Sequence, residues 1–310
     1  MQQVSALEYK DLIPKHYHIF NTTDFTLLNE KKVAEVTYLV FKDSKIRAGI
    51  ILGIEGEIAK SPFSAPYGGF SYIHEDIKIY QIDQVLGLFD NWLKNQGILE
   101  VSLTLPPFFY HENYLTKMSN SLWRASYEIK NQDINYQFDT SGISEDYLSR
   151  VWKNARKNLK RANSVGFDFQ KLGNDLGKQA YDVIRQNRQE RNLPLKMSWE
   201  QVKATTETIK TDYFLTNLNG VAVAAAIVFH VADNIVQVVY WGDLPEYSEN
   251  KTMNFLSFKV FEFYNKSGIK YVDIGPSTEN SYPNHGLCEF KESIGCDLSL
   301  KQTFYKKIQS

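Results

Sequence analysis

Cysteine is scarce in this sequence of 310 residues, which contains only two. Cys288 and Cys296 lack the two-residue spacing of a redox motif or a zinc site, and two cysteines are too few for a disulfide framework. The first residues also lack the basic and apolar segments of a secretion signal, and no apolar run is long enough to span a bilayer. We therefore expect reduced thiols in a cytoplasmic protein without a membrane span.

An excess of charge of one sign is lacking too. The 35 lysines and arginines nearly balance the 36 acidic residues, so the net charge of −1 gives no general attraction to DNA. The six histidines are scattered, and their close pair, His16 and His18, is seldom a metal site on its own. No histidine stands at a defined spacing from Cys288, which argues against a Cys–His nucleophile. We predict no metal site and no DNA partner.

What the sequence does contain is an internal repeat. Residues 84–95 have the apolar period of a helix and lead through Gly97 to a strand-like run at 98–103. Residues 253–266 have a similar period and lead through Gly268 to a strand-like run at 269–274. The two glycines are 171 residues apart (268 − 97), and at that offset an isoleucine and a valine also coincide. A chain of this length exceeds the usual single core, so duplication of one domain is the expectation.

Hairpins accompany the repeat in both halves. Strands rich in β-branched and aromatic residues are predicted at 33–41 and 46–54, and again at 221–230 and 235–241. Hairpins combined with a helix that leads into a lone strand indicate an α+β fold rather than a regular βαβ series. We predict two domains, over residues 1–142 and 143–310.

A helical region is predicted between the two sets of hairpins. Ser144 is the expected N-cap of a first helix that ends at Gly166, and a second helix is expected over 176–191. The first helix has an apolar stripe formed by Leu148, Val151, Ala155, Leu159 and Ala162. Its opposite face carries Lys153, Arg156, Lys157, Lys160 and Arg161. Such a face is usually just solvated, but five cations in about three turns also suit a tRNA backbone or a phosphate-bearing ligand.

Three segments together resemble a known family. They are the basic helix at 153–166, the stretch Arg-Gln-Glu-Arg-Asn-Leu-Pro at 188–194, and Asp-Ile-Gly-Pro at 273–276 followed by Gly-Leu-Cys-Glu-Phe-Lys-Glu-Ser-Ile-Gly at 286–295. In order and spacing they resemble the FemABX family of peptidoglycan-bridge aminoacyltransferases and their relatives, over roughly residues 30 to 305. The resemblance implies two tandem domains of the GNAT type (Gcn5-related acyltransferase), with mixed, mostly antiparallel sheets flanked by helices. It also implies acyl transfer to an amine, from aminoacyl-tRNA or from acyl-CoA.

Two features depart from this family and its relatives. No sustained heptad run predicts the coiled-coil arm that FemA and FemB carry. The glycine-rich pyrophosphate loop of ordinary GNAT enzymes is replaced by Leu-Pro-Glu-Tyr-Ser-Glu-Asn-Lys-Thr at 244–252. Backbone N–H groups at the start of the Met253 helix could still hold a phosphate. No tightly bound cofactor is expected, and acyl-CoA and aminoacyl-tRNA both stay open as donors.

Three catalytic candidates follow, two from the resemblance (Lys291 and Tyr305) and one, Asp273, from its chemistry and its place at a strand end. The resemblance places the Phe290–Lys291 pair near the transferred group, where a cation would stabilise the oxyanion; the alternative is a surface lysine. Asp273 could take a proton from the attacking ammonium, or it could simply cap a loop. Tyr305 could protonate the leaving group as in GNAT enzymes, or it could be a core residue of the closing strand.

A wider set of residues is predicted to bind substrate, and each has a structural alternative. The loop with Tyr67, Gly68 and Gly69 either lines an acceptor cleft or forms an ordinary β-turn. Aromatic side chains of the second half either flank a cleft or fill the core. The full predicted set is Phe290, Glu289, Tyr67, Gly68, Gly69, Tyr240, Trp241, Tyr282, Arg156, Lys160 and Arg188.

The leading hypothesis is acyl or aminoacyl transfer to an amine on a cell-envelope precursor or an amino sugar, with tRNA as a possible partner. One alternative is acyl-CoA-dependent N-acylation of a small metabolite. The other is a catalytically silent binding protein that kept the fold, because a fold does not guarantee a function.

Overall fold

A computed structural model describes residues 1–74, 76–143 and 147–308. The N-cap predicted at Ser144 lies outside these residues. By compactness the chain forms two units, one from Met1–Ile134 together with the segment from Ser299 onward, and one from Asn135–Leu298. No helix in the described part of the chain combines the length and the apolar character needed to cross a bilayer.

The first unit is built on a mixed sheet with helices. Its strands are β1 (Gln2–Val4), β2 (Glu35–Lys42), β3 (Ile46–Glu55), β4 (Ile58–Ser61), β5 (Phe70–Tyr72), β6 (Glu100–Thr104) and most of β15 (Asp297–Lys307). Its helices are α1 (Ala6–Leu12), α2 (Thr23–Asn29), α3 (Ile79–Asn95) and α4 (Glu112–Arg124). The strand order is β1-β2-β3-β4-β6-β15, with β5 paired to β3. The β2–β3 hairpin is the one that the sequence predicts.

The second unit repeats this arrangement. The strand β7 (Glu128–Asp139) enters it, followed by α5 (Tyr147–Arg150), α6 (Lys153–Asn163), β8 (Asp168–Leu172), α7 (Gly177–Glu190), α8 (Trp199–Thr206), β9 (Thr211–Leu218), β10 (Val221–Ala232) and β11 (Ile235–Asp243). Then come α9 (Thr252–Lys266), β12 (Tyr271–Pro276), β13 (Thr278–Glu279), β14 (Tyr282–Pro283) and α10 (His285–Ser293). The strand order is β7-β12-β11-β10-β9-β8, and β13 and β14 form a separate small hairpin.

The repeat predicted from the sequence is present in both units, and even individual backbone hydrogen bonds are the same in the two copies. Gly97 (φ 70°) ends α3, and Gly268 (φ 73°) ends α9, because a left-handed residue closes each helix. After each glycine an isoleucine N–H donates to a helix carbonyl at 3.0 Å, Ile98 to Leu93 and Ile269 to Tyr264. The strand that follows pairs in parallel, β6 with β4 and β12 with β11.

Two parts of the chain differ from the sequence-based expectation. The predicted first helix is interrupted, because extended backbone at Trp152 separates α5 from α6 and leaves Leu148 exposed. The compact units also differ from the predicted domain boundary after residue 142. The chain enters the second unit within β7, and its last strand pairs with β6 of the first unit, with Tyr305 opposite Ser102.

Candidate active site

Two parallel strands of the second unit part from each other. β11 and β12 pair at three positions, and the last pair joins Gln237 to Asp273. Beyond Gln237, β11 runs on to Asp243 with β10 as its partner, while the register of β12 against β7 shifts after Asp273. In the first unit the corresponding strands stay paired over the whole length of β4. The second unit therefore has an opening that the equivalent strands of the first unit do not show.

A cavity of about 420 Å³ lies where these strands part. Its walls come from α7, the far half of β11, the end of β12 and the first turns of α10. Four residues that the sequence predicted as functional line it: Arg188, Trp241, Phe290 and Lys291. The ring centroids of Trp241 and Phe290 are 6.4 Å apart in an edge-to-face arrangement.

A β-bulge on β11 lies in the wall of this cavity. Opposite β10, Ile227 pairs with Tyr240 and Val228 pairs with Val238, so Val239 is an extra residue. Val239 lines the cavity. Because backbone groups of a strand point alternately to its two sides, part of this stretch of β11 presents N–H groups on the side that β12 has left.

Lys291 is almost fully buried at the cavity wall, with 2% exposure. Its Nζ donates to the carbonyl oxygens of Ile274 and Gly275 at 2.8 Å each and of Pro276 at 3.2 Å. The ammonium also lies 5.3 Å from the ring centroid of Tyr136. Burial lowers the pKa of Lys291 to about 8. All three N–H donors of the ammonium are thus engaged with the end of β12.

Asp273 is fully buried next to this segment. One carboxylate oxygen accepts from Asn135 Nδ2 at 2.8 Å and from the Gly275 N–H at 2.9 Å, and the other accepts from Gln237 Nε2 at 2.8 Å. Gly275 has φ 72°, a left-handed conformation that suits glycine. Asp273 and Lys291 therefore hold the N–H and the carbonyl groups of the same turn, and they fix the end of β12 away from β11.

An ion pair between the buried Asp243 and Arg191, whose side chain is 40% exposed, forms another wall, and the sequence analysis missed it. Arg191 Nη2 donates to Asp243 Oδ1 at 3.0 Å and to Ser248 Oγ at 3.1 Å, and Ser248 donates to Asp243 Oδ2 at 3.0 Å. Burial raises the pKa of Asp243. Asn187 donates to the Asp243 carbonyl at 2.6 Å, and a Cβ on Gly242 would lie 2.8 Å from the Asn187 side chain. This close approach explains why a glycine, Gly242, follows Trp241. That glycine was the one feature of the sequence that could have pointed to this part of the site.

Some predicted substrate residues of the second unit do not line the cavity. Tyr240 is buried behind it, and the Arg188 guanidinium lies 6.0 Å from its ring centroid. Tyr282 is 82% exposed on the β13–β14 hairpin. The others, Glu289, Arg156 and Lys160, are exposed on α10 and α6.

The remaining predicted residues belong to the first unit. Tyr67 is buried and its hydroxyl bonds that of Tyr110. The Gly68 N–H donates to the Thr104 carbonyl at 2.8 Å, and Gly69 has φ 92°. Tyr305 lies on β15 beside a separate, polar cavity of about 660 Å³. Partial burial and a hydrogen bond with Glu100 raise the pKa of Tyr305. The catalytic role of Tyr305 stays a prediction.

Neither a metal cluster nor a glycine-rich phosphate loop was found in the described regions. No group of three or more candidate ligands converges among residues 1–74, 76–143 and 147–308. The segment before α9 forms a short 3₁₀ helix, Pro245–Asn250, and Lys251 adopts a left-handed conformation before the helix starts.

Known proteins share this fold. FemX matches with a TM-score of 0.71 at 11% identity, over 99% of this chain and 97% of its own. The C-terminal domain of a putative lysylphosphatidylglycerol synthetase from Agrobacterium fabrum matches with a TM-score of 0.61 at 11% identity, over 97% and 92%. A tandem GNAT protein from the clavulanic acid biosynthesis pathway matches with a TM-score of 0.56 at 8% identity, over 99% and 98%.

At these identities the likeness establishes the fold. No protein-family model matches the sequence, and no curated protein matches it. The α+β fold with two GNAT-like halves is confirmed, and so is the resemblance to the FemABX family at the level of the fold.

Proposed function

We propose that this protein transfers an acyl or aminoacyl group to an amine, with the reacting carbonyl held in the cavity between β11 and β12. The observation that carries the proposal is the parting of these two strands after Gln237 and Asp273. It opens a cavity of about 420 Å³ beside an unpaired strand edge. Strand edges bind extended ligands through main-chain hydrogen bonds, and such a ligand would bring its carbonyl against the bulge at Val239.

The reaction needs stabilisation of negative charge. The amine nitrogen bonds to the carbonyl carbon, the carbonyl oxygen becomes an oxyanion, and the leaving oxygen or sulfur departs with a proton. Unpaired N–H groups of β11 would donate to the oxyanion, and the charge of Lys291 would lower its energy in a poorly solvated site. Lys291 acts through its charge, because its three N–H donors are engaged; direct contact requires it to release Pro276, its longest hydrogen bond at 3.2 Å.

A carboxylate is needed to receive the proton of the attacking ammonium. Asp243 lines the cavity, and burial raises its pKa, which makes it a stronger base than an exposed aspartate. Asp273 was the prediction from the sequence, but it is fully buried and does not line the cavity. Both carboxylates accept hydrogen bonds, Asp273 from three donors and Asp243 from Arg191 and Ser248, so access to the cavity decides between them. Asp243 is therefore the better placed of the two.

The donor is proposed to be an aminoacyl-tRNA rather than a CoA thioester. The segment before α9 contains no glycine, so a close approach of pyrophosphate to its backbone is disfavoured. On α6, the five side chains of Lys153, Arg156, Lys157, Lys160 and Arg161 have no ion pair or side-chain hydrogen bond within the described ranges. An unpaired basic face of this kind suits an RNA backbone. The acceptor is proposed to be an amine of a cell-envelope precursor.

The experiment is a donor panel with two readouts. Thermal shift is measured with charged tRNA, uncharged tRNA, acetyl-CoA and longer acyl-CoAs, and transfer to a panel of amines is followed by mass spectrometry. Stabilisation by charged tRNA, with formation of an amide, supports the proposal. Binding and transfer with acyl-CoA alone would leave acyl transfer standing and refute the tRNA donor. If no donor binds or reacts, the protein is a silent binding module.

The basic face of α6 provides a separate test of the tRNA donor. A variant with Arg156→Gln and Lys160→Gln should weaken tRNA binding and reduce the slope of log affinity against log salt by about two. The matched control, Lys203→Gln with Lys210→Gln, removes the same charge from exposed positions elsewhere. Equal tRNA affinity and salt slope in the two variants would show that α6 does not contact RNA.

A further inference from the structure

Arg188 is a cation without a counter-charge in the cavity wall. Its side chain is half-buried on α7, and its Nε is enclosed without a hydrogen-bond partner. Within the described residues it has no ion pair, and its guanidinium carbon lies 6.0 Å from the ring centroid of Tyr240. A ring at this distance lies at the outer limit of a cation–π interaction, so it compensates little of the lost hydration.

Arg191, in the same cavity wall, has the hydrogen-bond partners that Arg188 lacks in the described part of the chain. Arg191 lies one turn further along the chain and also lines the cavity. It donates to Asp243 at 3.0 Å and to Ser248 at 3.1 Å, so its charge is neutralised within the protein. Within the described residues, no carboxylate forms an ion pair with Arg188.

Burial of an unpaired guanidinium is unfavourable. Desolvation is the main reason that the pKa of Arg188 is lowered from its usual value. Such a cation costs folding stability unless a partner arrives from outside the chain. Buried apolar residues of the same wall, Val238 and Ile274, lower the local dielectric and would strengthen the attraction for an anion.

We propose that Arg188 binds a carboxylate or phosphate group of the molecule that occupies this cavity. The planar guanidinium can donate two parallel hydrogen bonds to either oxyanion, which fixes the orientation of the ligand as well as its charge. The inference rests on the proposed function for the role of that ligand as donor or acceptor. It defines the substrate class: one of the two reactants carries an anionic group close to its reacting atom, which is the carbonyl carbon of the donor or the amine nitrogen of the acceptor.

The test uses two anions and one neutral ligand that matches one of the anions in shape. N-acetylglycine carries a carboxylate, N-acetylglycinamide is its neutral counterpart, and inorganic phosphate supplies the other oxyanion. Binding of each is titrated by ligand-observed NMR to the wild-type protein and to Arg188→Gln, Arg188→Lys and Arg185→Gln. Arg185 is the matched control, because it lies on the same helix but is exposed and paired with Asp182 at 3.2 Å.

We expect the wild type and Arg185→Gln to prefer at least one of the two anions over the amide. Arg188→Gln should lose that preference, with at least about a tenfold weaker affinity for the anion, and Arg188→Lys should recover part of it. The anion that is preferred identifies the group as carboxylate or phosphate. Equal binding of anions and amide by the wild type, or unchanged anion binding in Arg188→Gln, overturns the inference.

Thermal unfolding separates a binding role from a structural one. Since Arg188 has no partner to lose, Arg188→Gln should melt at the same temperature as the wild type or higher, whereas a clearly lower melting temperature would show a structural role and refute the inference. The outcomes also separate this inference from the proposed function. Anion binding that depends on Arg188, without transfer from any donor, keeps the subsite and refutes the transferase. If wild type and Arg188→Gln transfer the group at equal rates and with equal KM, the transferase proposal stands and the anion subsite at Arg188 is refuted.

Discussion

Replacing Asp273 with alanine should strongly destabilise the second unit. The substitution leaves two buried donors and one partly buried donor without an acceptor. They are Asn135 Nδ2 and Gln237 Nε2, both at 2.8 Å in the native protein, and the partly buried Gly275 N–H at 2.9 Å. An unsatisfied buried donor costs about 1–3 kcal/mol, so the three together, allowing for the partial exposure of Gly275, relaxation and non-additivity, should reduce the free energy of unfolding by about 4 kcal/mol. Lys291 also loses a nearby negative charge.

The assay is urea denaturation at neutral pH, followed by circular dichroism and by tryptophan fluorescence. Asp297→Ala is the control, because Asp297 is about half exposed and its 3.5 Å ion pair with Arg150 is worth roughly 0–1 kcal/mol. Asp273→Asn keeps the shape and should fall between the two. A loss below about 1 kcal/mol for Asp273→Ala would refute the clamp that we assign to Asp273 and Lys291 at the end of β12.

Two further predictions concern backbone strain and pH. Gly275→Ala should cost about 1–2 kcal/mol of unfolding free energy, because the φ of Gly275 is 72°, a left-handed value, and the open space around it leaves no steric contribution. The control, Gly286→Ala in the first turn of α10, should be near neutral. Equal melting temperatures for the two variants would contradict this prediction. Burial alone would raise the pKa of Asp212, but hydrogen bonds from His230, Lys171 and Tyr264 hold it at about 2, below the usual 3.8. A carboxyl with a lowered native pKa contributes stability above its unfolded pKa and loses it as the pH falls through the native value, so about 2 kcal/mol should disappear between about pH 5 and about pH 2. Urea midpoints of wild type and Asp212→Asn should therefore converge on acidification, and a constant difference would be evidence against this network.

Local patterns carried much of the fold prediction. Gly97 and Gly268 each close a helix and precede an apolar strand, so the repeat could be recognised from residues close in sequence. The partner of a strand is not encoded locally. The period of β15 indicates a strand, but nothing in it tells that Tyr305 pairs with Ser102 of the first unit. The extended backbone at Trp152 was missed for a related reason, since the apolar stripe continues across the break between α5 and α6.

The candidate site was only partly accessible from the sequence. Phe290 and Lys291 were found because a motif resembles one in a known family. The ion pair between Arg191 and Asp243 joins residues 52 positions apart, and no periodicity links them. The burial of Lys291 against three carbonyls was equally unforeseeable, because a Phe-Lys pair on a helix has the same sequence whether the lysine faces solvent or a strand end.

The claim that the cavity beside the bulge of β11 holds the transferred group is tested most directly by filling it. Val239→Trp places a large side chain in the cavity, while Val221→Trp makes the same change at an exposed position at the start of β10. With both variants folded, the initial rate of amide formation measured by mass spectrometry should fall at least about a hundredfold for Val239→Trp and stay at the wild-type level for Val221→Trp. A wild-type rate in folded Val239→Trp would contradict the account.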